Sequence, residues 1–183
     1  QVASTRQNNL LLFKGFLAIA WGVAALIAAR SHAMGLAYAF GALNIVAGIL
    51  TFLYAYKNKH LKISHQWLFM EGVVELIAGV VFLFFAPDIN TFILYMSYGI
   101  MFIVIVQFIY GYFLLMTNVL HAKNLVARFA SLIAGSVVSI ALLANTLGTT
   151  WSLVMISLFS ILYGVLNAQF AVKLRNIIMG EAE

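Results

Sequence analysis

The chain has 183 residues, of which 64% are apolar and 8% charged, with one Pro, no Cys and a formal net charge of +5. An ordinary soluble domain is roughly half apolar and a quarter charged, so a soluble globule, a coiled coil, a disordered chain and a nucleic-acid-binding module are excluded as the main reading. The apolar share, about 117 residues, would fill roughly six membrane spans of about 20 residues each, and the absence of Cys removes disulfides, iron–sulfur clusters, thiol catalysis and Cys-ligated zinc.

Six apolar runs follow one another along the chain. The first covers about Leu10 to Ala29 and the second Ala33 to Tyr56. The third, Gln66 to Ala86, leads through Pro87 and Asp88 to the fourth, Asn90 to Met116; the fifth covers Leu125 to Ala144 and the sixth Thr150 to Val172. Each is long enough to span a bilayer as a helix. The connections after the first, third and fifth are only a few residues long, which predicts three tight antiparallel helical hairpins, about 10–56, 66–116 and 125–172, in one transmembrane domain. The first run is expected to remain a span rather than a cleaved signal peptide, because it is long for one and carries Lys14.

Orientation follows from the basic residues. Arg6, Lys14, Lys57, Lys59, Lys62, Lys123, Arg128, Lys173 and Arg175 gather on one side, whereas Arg30 lies opposite with Asp88. The positive-inside rule places that side, and both termini, in the cytoplasm. It also explains the positive charge without a nucleic-acid partner. The lipid bilayer is the expected surrounding, with a homo-oligomer or a larger membrane complex as the expected assembly.

The odd spans repeat without gaps. Lys14-Gly15 and Gly22 align with Glu71-Gly72 and Gly79, and with Ala127-Arg128 and Gly135. Among the even spans, Asn44 with Gly48 corresponds to Ser160 with Gly164, while the fourth registers equally on Gly99 or on Gln107 with Gly111. Small residues let helix backbones approach in lipid, so Gly22, Gly48, Gly79, Gly135 and Gly164 are expected packing positions. Hairpins of this shape, with Gly at seven-residue spacing and a Pro-Asp turn from Gly72 through Gly79 and Pro87 to Gly99, resemble the HdeD acid-resistance membrane protein family over essentially the whole chain. The resemblance implies a six-helix inner-membrane protein linked to acid stress in enteric bacteria, and it carries no catalytic residues over to this chain.

The sharpest chemical signal is a set of charges inside the odd spans: Lys14, Glu71, Glu75 and Arg128. Glu71 lies roughly 7 Å beyond the start of its span and Glu75 about 13 Å. An unpaired carboxylate near mid-bilayer costs on the order of 3 kcal/mol, so these groups must be paired, protonated or hydrated. Two readings compete. In the structural one, Lys14 or Arg128 neutralises Glu71, while Glu75 is neutral or hydrogen-bonded to Asn44, Gln107 or Asn167. In the functional one, Glu75 is a protonatable site on a proton or ion path. No catalytic set, metal site or cofactor motif is present in the sequence: there is no phosphate-binding Gly loop, nucleophile elbow or zinc signature. His32, His60, His65 and His121 all lie outside the deep membrane, where a haem would need them. A non-enzymatic membrane protein is therefore the first expectation, and a small proton or ion transporter the alternative.

Overall fold

The computed structural model describes the backbone of residues 2–29, 31–57, 62–116 and 122–180, and side chains within 9–29, 31–57, 69–109, 129–169 and 171–172, together with those of residues 112, 116 and 126. Six helices account for nearly all of it: α1 (Val2–Ala28), α2 (Ala33–Lys57), α3 (Lys62–Phe84), α4 (Ile89–Met116), α5 (Ala122–Leu143) and α6 (Thr149–Gly180). α1, α2, α4 and α6 each hold a stretch long and apolar enough to cross a membrane, and α5 contributes a shorter apolar stretch, Phe129–Leu143. The outer surface is apolar, with Ile27 and Phe84 80% and 74% exposed. Lipid is the solvent that tolerates such a surface. The fold is that of an all-α, multi-pass membrane protein made of three antiparallel hairpins.

Local chemistry sets the three short turns. α1 stops where the N–H groups of Ser31 and His32 both return to the carbonyl of Ala28. Asp88 caps α4: its Oδ1 accepts from the N–H groups of Asn90 and Thr91, both at 2.9 Å, and its Oδ2 accepts from the Thr91 hydroxyl. These bonds satisfy N–H groups that the first helical turn leaves unpaired. Beyond α5, Asn145 adopts the left-handed conformation (φ 50°), which Asn tolerates better than most residues, and the chain reverses into α6.

The closest helix packing lies between hairpins rather than within them. α1 packs antiparallel on α6, and α2 on α3, with the backbones drawn together at glycines. A Cβ built on Gly15 would lie 2.8 Å from the Gly164 carbonyl oxygen, and one on Gly22 2.8 Å from that of Ser157. In the second pair, Gly48 faces the Gly72 carbonyl at 3.0 Å and Gly79 faces that of Gly41 at 2.9 Å. On α1, α2 and α3 the glycines recur at seven residues, two helical turns, and on α6 Gly164 follows Ser157 by the same interval, so one face presents two contact points. Hydroxyls reinforce the seams: Ser160 donates to the Ala18 carbonyl across α6/α1, and Ser139 to that of Ser97 across α5/α4, both at 2.8 Å. The α4/α5 pair is looser. Gly135 there meets the side chains of Val104 and Phe159 rather than a backbone, Gly99 has nothing within 4 Å, and an apolar crevice of about 360 Å³ opens beside Val104, Phe108 and Ile133.

Among the described residues, the common core lies toward the three hairpin turns. Trp21, Phe40, Phe82 and Phe92, from α1 to α4, meet edge-on with ring centroids 4.9–6.0 Å apart. The Trp21 indole N–H is satisfied by the Leu36 carbonyl at 3.1 Å. Ile100, Val138, Leu142, Leu153 and Ile156 extend this core across α4, α5 and α6. Hairpin partners therefore meet mainly near their turns. Short connections make helices neighbours, but the small residues decide where they press together.

Candidate functional site

The interior stripe of each helix can be followed from the apolar core toward the opposite, Lys-rich side of the membrane. On α3, Phe82 and Ala78 belong to or pack on the core, and the same 3.6-residue face continues to Glu75 and Glu71. On α1 the stripe from Ala25 and Trp21 leads to Lys14. On α2 it leads from Ala37 and Phe40 to Thr51. These three stripes converge on one cluster.

Lys14 sits at its centre. Its Nζ lies 2.8 Å from Glu71 Oε1 and 2.6 Å from Glu75 Oε1, so one ammonium bridges two carboxylates. The second oxygen of Glu75 accepts a hydrogen bond from the Thr51 hydroxyl at 2.8 Å. That hydroxyl also lies 2.8 Å from the Ala47 carbonyl, so its single proton is shared between the two acceptors. Thr51 is fully buried, whereas the side chains of Lys14, Glu75 and Glu71 retain 14%, 19% and 39% of their exposure. The order of those values reflects depth, with Glu71 one turn nearer the Lys-rich side. The arrangement ties α1, α2 and α3 together and leaves Glu75 with a partner on each oxygen.

Of the four charges singled out in the sequence, the structure brings together Lys14, Glu71 and Glu75. The Arg128 side chain lies outside the described residues, and its helix α5 packs on α4 and α6. None of the amides considered as partners of Glu75 fills that place. Asn44 donates to the Phe40 carbonyl of its own helix at 2.9 Å, and Gln107 and Asn167 are buried elsewhere in the interior. The partner is Thr51, seven residues beyond Asn44 on the same face of α2. Two-turn spacing from a polar residue was the available signal, and it is weak because threonine is common in membrane helices. His60, His65 and His121 lie outside the described residues, and His32 is exposed beside the Ser31 hydroxyl. Among the described residues, no group of three His, Asp or Glu side chains is placed to hold a metal ion.

The packing glycines divide by seam. Gly22 and Gly164 lie in α1/α6, Gly48 and Gly79 in α2/α3, and Gly135 faces side chains of α4 and α6. Thr51, Gln107 and Asn167 each stand eighteen residues after the first residue of their helices, Ala33, Ile89 and Thr149. Eighteen residues is five full turns, and all three are buried.

Comparison with known proteins adds one family. Residues 13–84 match a short repeat of unknown function (DUF308). The match takes in Lys14, Thr51, Glu71, Glu75 and both glycine pairs of the α2/α3 seam, and it ends on Phe84, the last residue of α3. No curated protein and no solved structure matches the chain. The ion-pair cluster thus lies wholly inside the matched repeat.

Proposed function

We propose that this is a non-enzymatic integral membrane protein resembling the HdeD family, with a structural or acid-stress-protective role in a bacterial inner membrane. It works as an oligomer or as an accessory subunit of a larger membrane complex, with both termini on the cytoplasmic side. The observation that carries this reading is the occupancy of Glu75. Both oxygens of Glu75 are taken, by Lys14 and by Thr51, so the carboxylate is satisfied as a tie between α1, α2 and α3. The aromatic core beyond it fills the other half of the interior. The short-repeat match is consistent with this reading, and so is the basic-residue asymmetry.

The test is reconstitution of the full chain into vesicles containing a pH-sensitive dye. No proton flux is expected under an imposed pH or potential gradient, for the wild type or for Glu75→Gln, and both are expected to assemble in the membrane. Flux in the wild type that disappears in Glu75→Gln would replace this reading with proton transport. Purification from native membranes is expected to recover the protein in an assembly larger than one chain; a strict monomer without partners would overturn the oligomer and accessory roles. A reporter active only in the cytoplasm, inserted between Lys57 and Lys62, is expected to be active.

A further inference from the structure

Each even helix packs on an odd one from another hairpin: α2 on α3, α6 on α1 and, more loosely, α4 on α5. In the first two seams the facing positions are small throughout. Gly72 and Gly79 of α3 meet Gly48 and Gly41 of α2, and Gly15 and Gly22 of α1 meet Gly164 and Ser157 of α6. On α5 the repeat puts Arg128 and Gly135 at the places of Gly15 and Gly22. Gly135 faces Val104, so Val104 stands where the other seams have Gly41 and Ser157. In the same register Gly111, seven residues on, corresponds to Gly48 and Gly164 and falls opposite Arg128. Two of the four small positions are thus replaced by larger residues.

The consequence is steric. A Cβ on Gly41 would already lie 3.2 Å from the Gly79 carbonyl oxygen, and one on Gly72 3.2 Å from that of Gly48. Valine and arginine at the matching places of α4/α5 keep those backbones apart. The crevice of about 360 Å³ opens between these two places, with Val104 and Phe108 on one wall and Phe129, Leu132, Ile133 and Ser136 on the other. The Ser136 hydroxyl donates to the Leu132 carbonyl of its own helix at 2.9 Å, so the crevice presents a hydrocarbon wall. From Phe129 to Ser136 α5 rises about 10 Å, within the roughly 15 Å depth of one leaflet. Over that length the volume amounts to a slot about 7 Å across, too narrow for a helix with its side chains, about 10–12 Å. An unbranched hydrocarbon chain, about 4 Å wide at van der Waals contact, fits it. The Lys-rich end of the slot is marked by charge. Arg128 precedes Phe129 and stands one turn from Leu132, and Lys123 lies nearer the surface. Arg128 is about 5 Å inside the apolar run that starts at Leu125, a depth from which an arginine reaches the head-group level.

We propose that the α4/α5 crevice is a lipid site, which seats one acyl chain of an anionic phospholipid from the leaflet on the Lys-rich side and pairs its phosphate with Arg128 and Lys123. The arginine serves both parts of the site. Its size keeps the seam from closing as the other two do, and its charge selects the head group. The site stands on α4 and α5, apart from the Lys14 cluster on α1, α2 and α3, so it holds or fails independently of the role proposed above.

The full chain is to be released for native mass spectrometry from micelles holding equal amounts of phosphatidylglycerol and phosphatidylcholine with identical acyl chains. One phosphatidylglycerol is expected to stay on each chain, preferred about fivefold, the preference one basic residue gives near an anionic surface. Arg128→Gln is expected to abolish that preference. Ser136→Leu, which fills the crevice, is expected to release lipid of either kind, and Lys57→Gln, at the end of the closed α2/α3 seam, to change nothing. Equal retention of the two lipids by the unsubstituted chain would overturn the head-group selection. A loss in Lys57→Gln as large as in Arg128→Gln would make the effect a general property of the basic surface and overturn the site. Lipid still held by Ser136→Leu would overturn the crevice as its seat, and a Ser136→Leu chain that keeps its lipid but falls from an oligomer to a monomer would assign the crevice to a second copy instead. The unsubstituted protein provides a check that needs no variant. After delipidation, its thermal midpoint in detergent is expected to rise more with phosphatidylglycerol than with phosphatidylcholine, and no difference would overturn the proposal.

Discussion

One lysine holds two carboxylates in a place where neither can be left alone. Removing Lys14 leaves Glu71 and Glu75 facing each other at reduced exposure, and breaking one side of such a pair typically costs about 3 kcal/mol or more. Lys14→Met is therefore expected to lower the thermal midpoint in detergent sharply. Combining it with Glu71→Gln and Glu75→Gln is expected to recover most of the loss, since an uncharged set needs no counter-ion. A triple variant no more stable than the single one would show that Lys14 acts through packing instead. Asp88 works on the opposite side and in water. The N–H and hydroxyl of Thr91, with the N–H of Asn90, hold its carboxyl below the usual aspartate range. A carboxyl depressed in the folded state stabilises it at any pH above the unfolded-chain value, near 3.9 for aspartate, and that contribution fades as pH falls through the lower folded-state value. Asp88→Asn, which still accepts a hydrogen bond from the helix N-terminus, is expected to lose stability modestly at neutral pH and to flatten the decline of the thermal midpoint below about pH 4. An unchanged acid limb would mean that the cap does not couple to unfolding.

At the scale of elements, glycine position separates seams that are closed from one that is not. Gly79 faces backbone atoms of α2, Ile45 N at 2.8 Å and Gly41 O at 2.9 Å, and these cannot move aside as a side-chain end can. Gly79→Leu is expected to push α3 off α2 and to destabilise the fold by about 1–3 kcal/mol, the usual range for overpacking. Gly99→Ala, with open space around it, is expected to be neutral or to stabilise by about 0.5–1 kcal/mol through helix propensity. Parallel thermal unfolding of the two variants checks both. A loss at Gly99 equal to that at Gly79 would mean that α4 is packed there by something the fold does not show. The six helices were legible in the sequence because a span is a property of one contiguous run. Their boundaries at the turns fall within two residues of the expected ones, since Asp88 and the Ser31-His32 pair are local signals. The seam partners were not legible, because seven-residue glycine spacing marks a contact face without naming the helix that meets it.

For the whole molecule, the decisive feature is the convergence of α1, α2 and α3 on one ion-pair cluster. It requires three stripes to be read together, and each alone is an ordinary membrane helix. The depth of Glu75 and its interior face could be derived from helical periodicity. The identity of its partners could not, because Lys14 is 57 residues from Glu71 along the chain and Thr51 stands out among hydroxyl residues only once α2 is laid on α3. What the sequence determined by itself was the solvent, the number of spans and the repeat, since hydrophobic length and local turn chemistry belong to short segments. Only the tertiary structure decided that α1 closes on α6, that one lysine serves both carboxylates, and that Thr51 takes the remaining oxygen of Glu75. Those facts depend on which faces meet in lipid, where close packing and hydrogen bonds choose the partner and apolar surface does not.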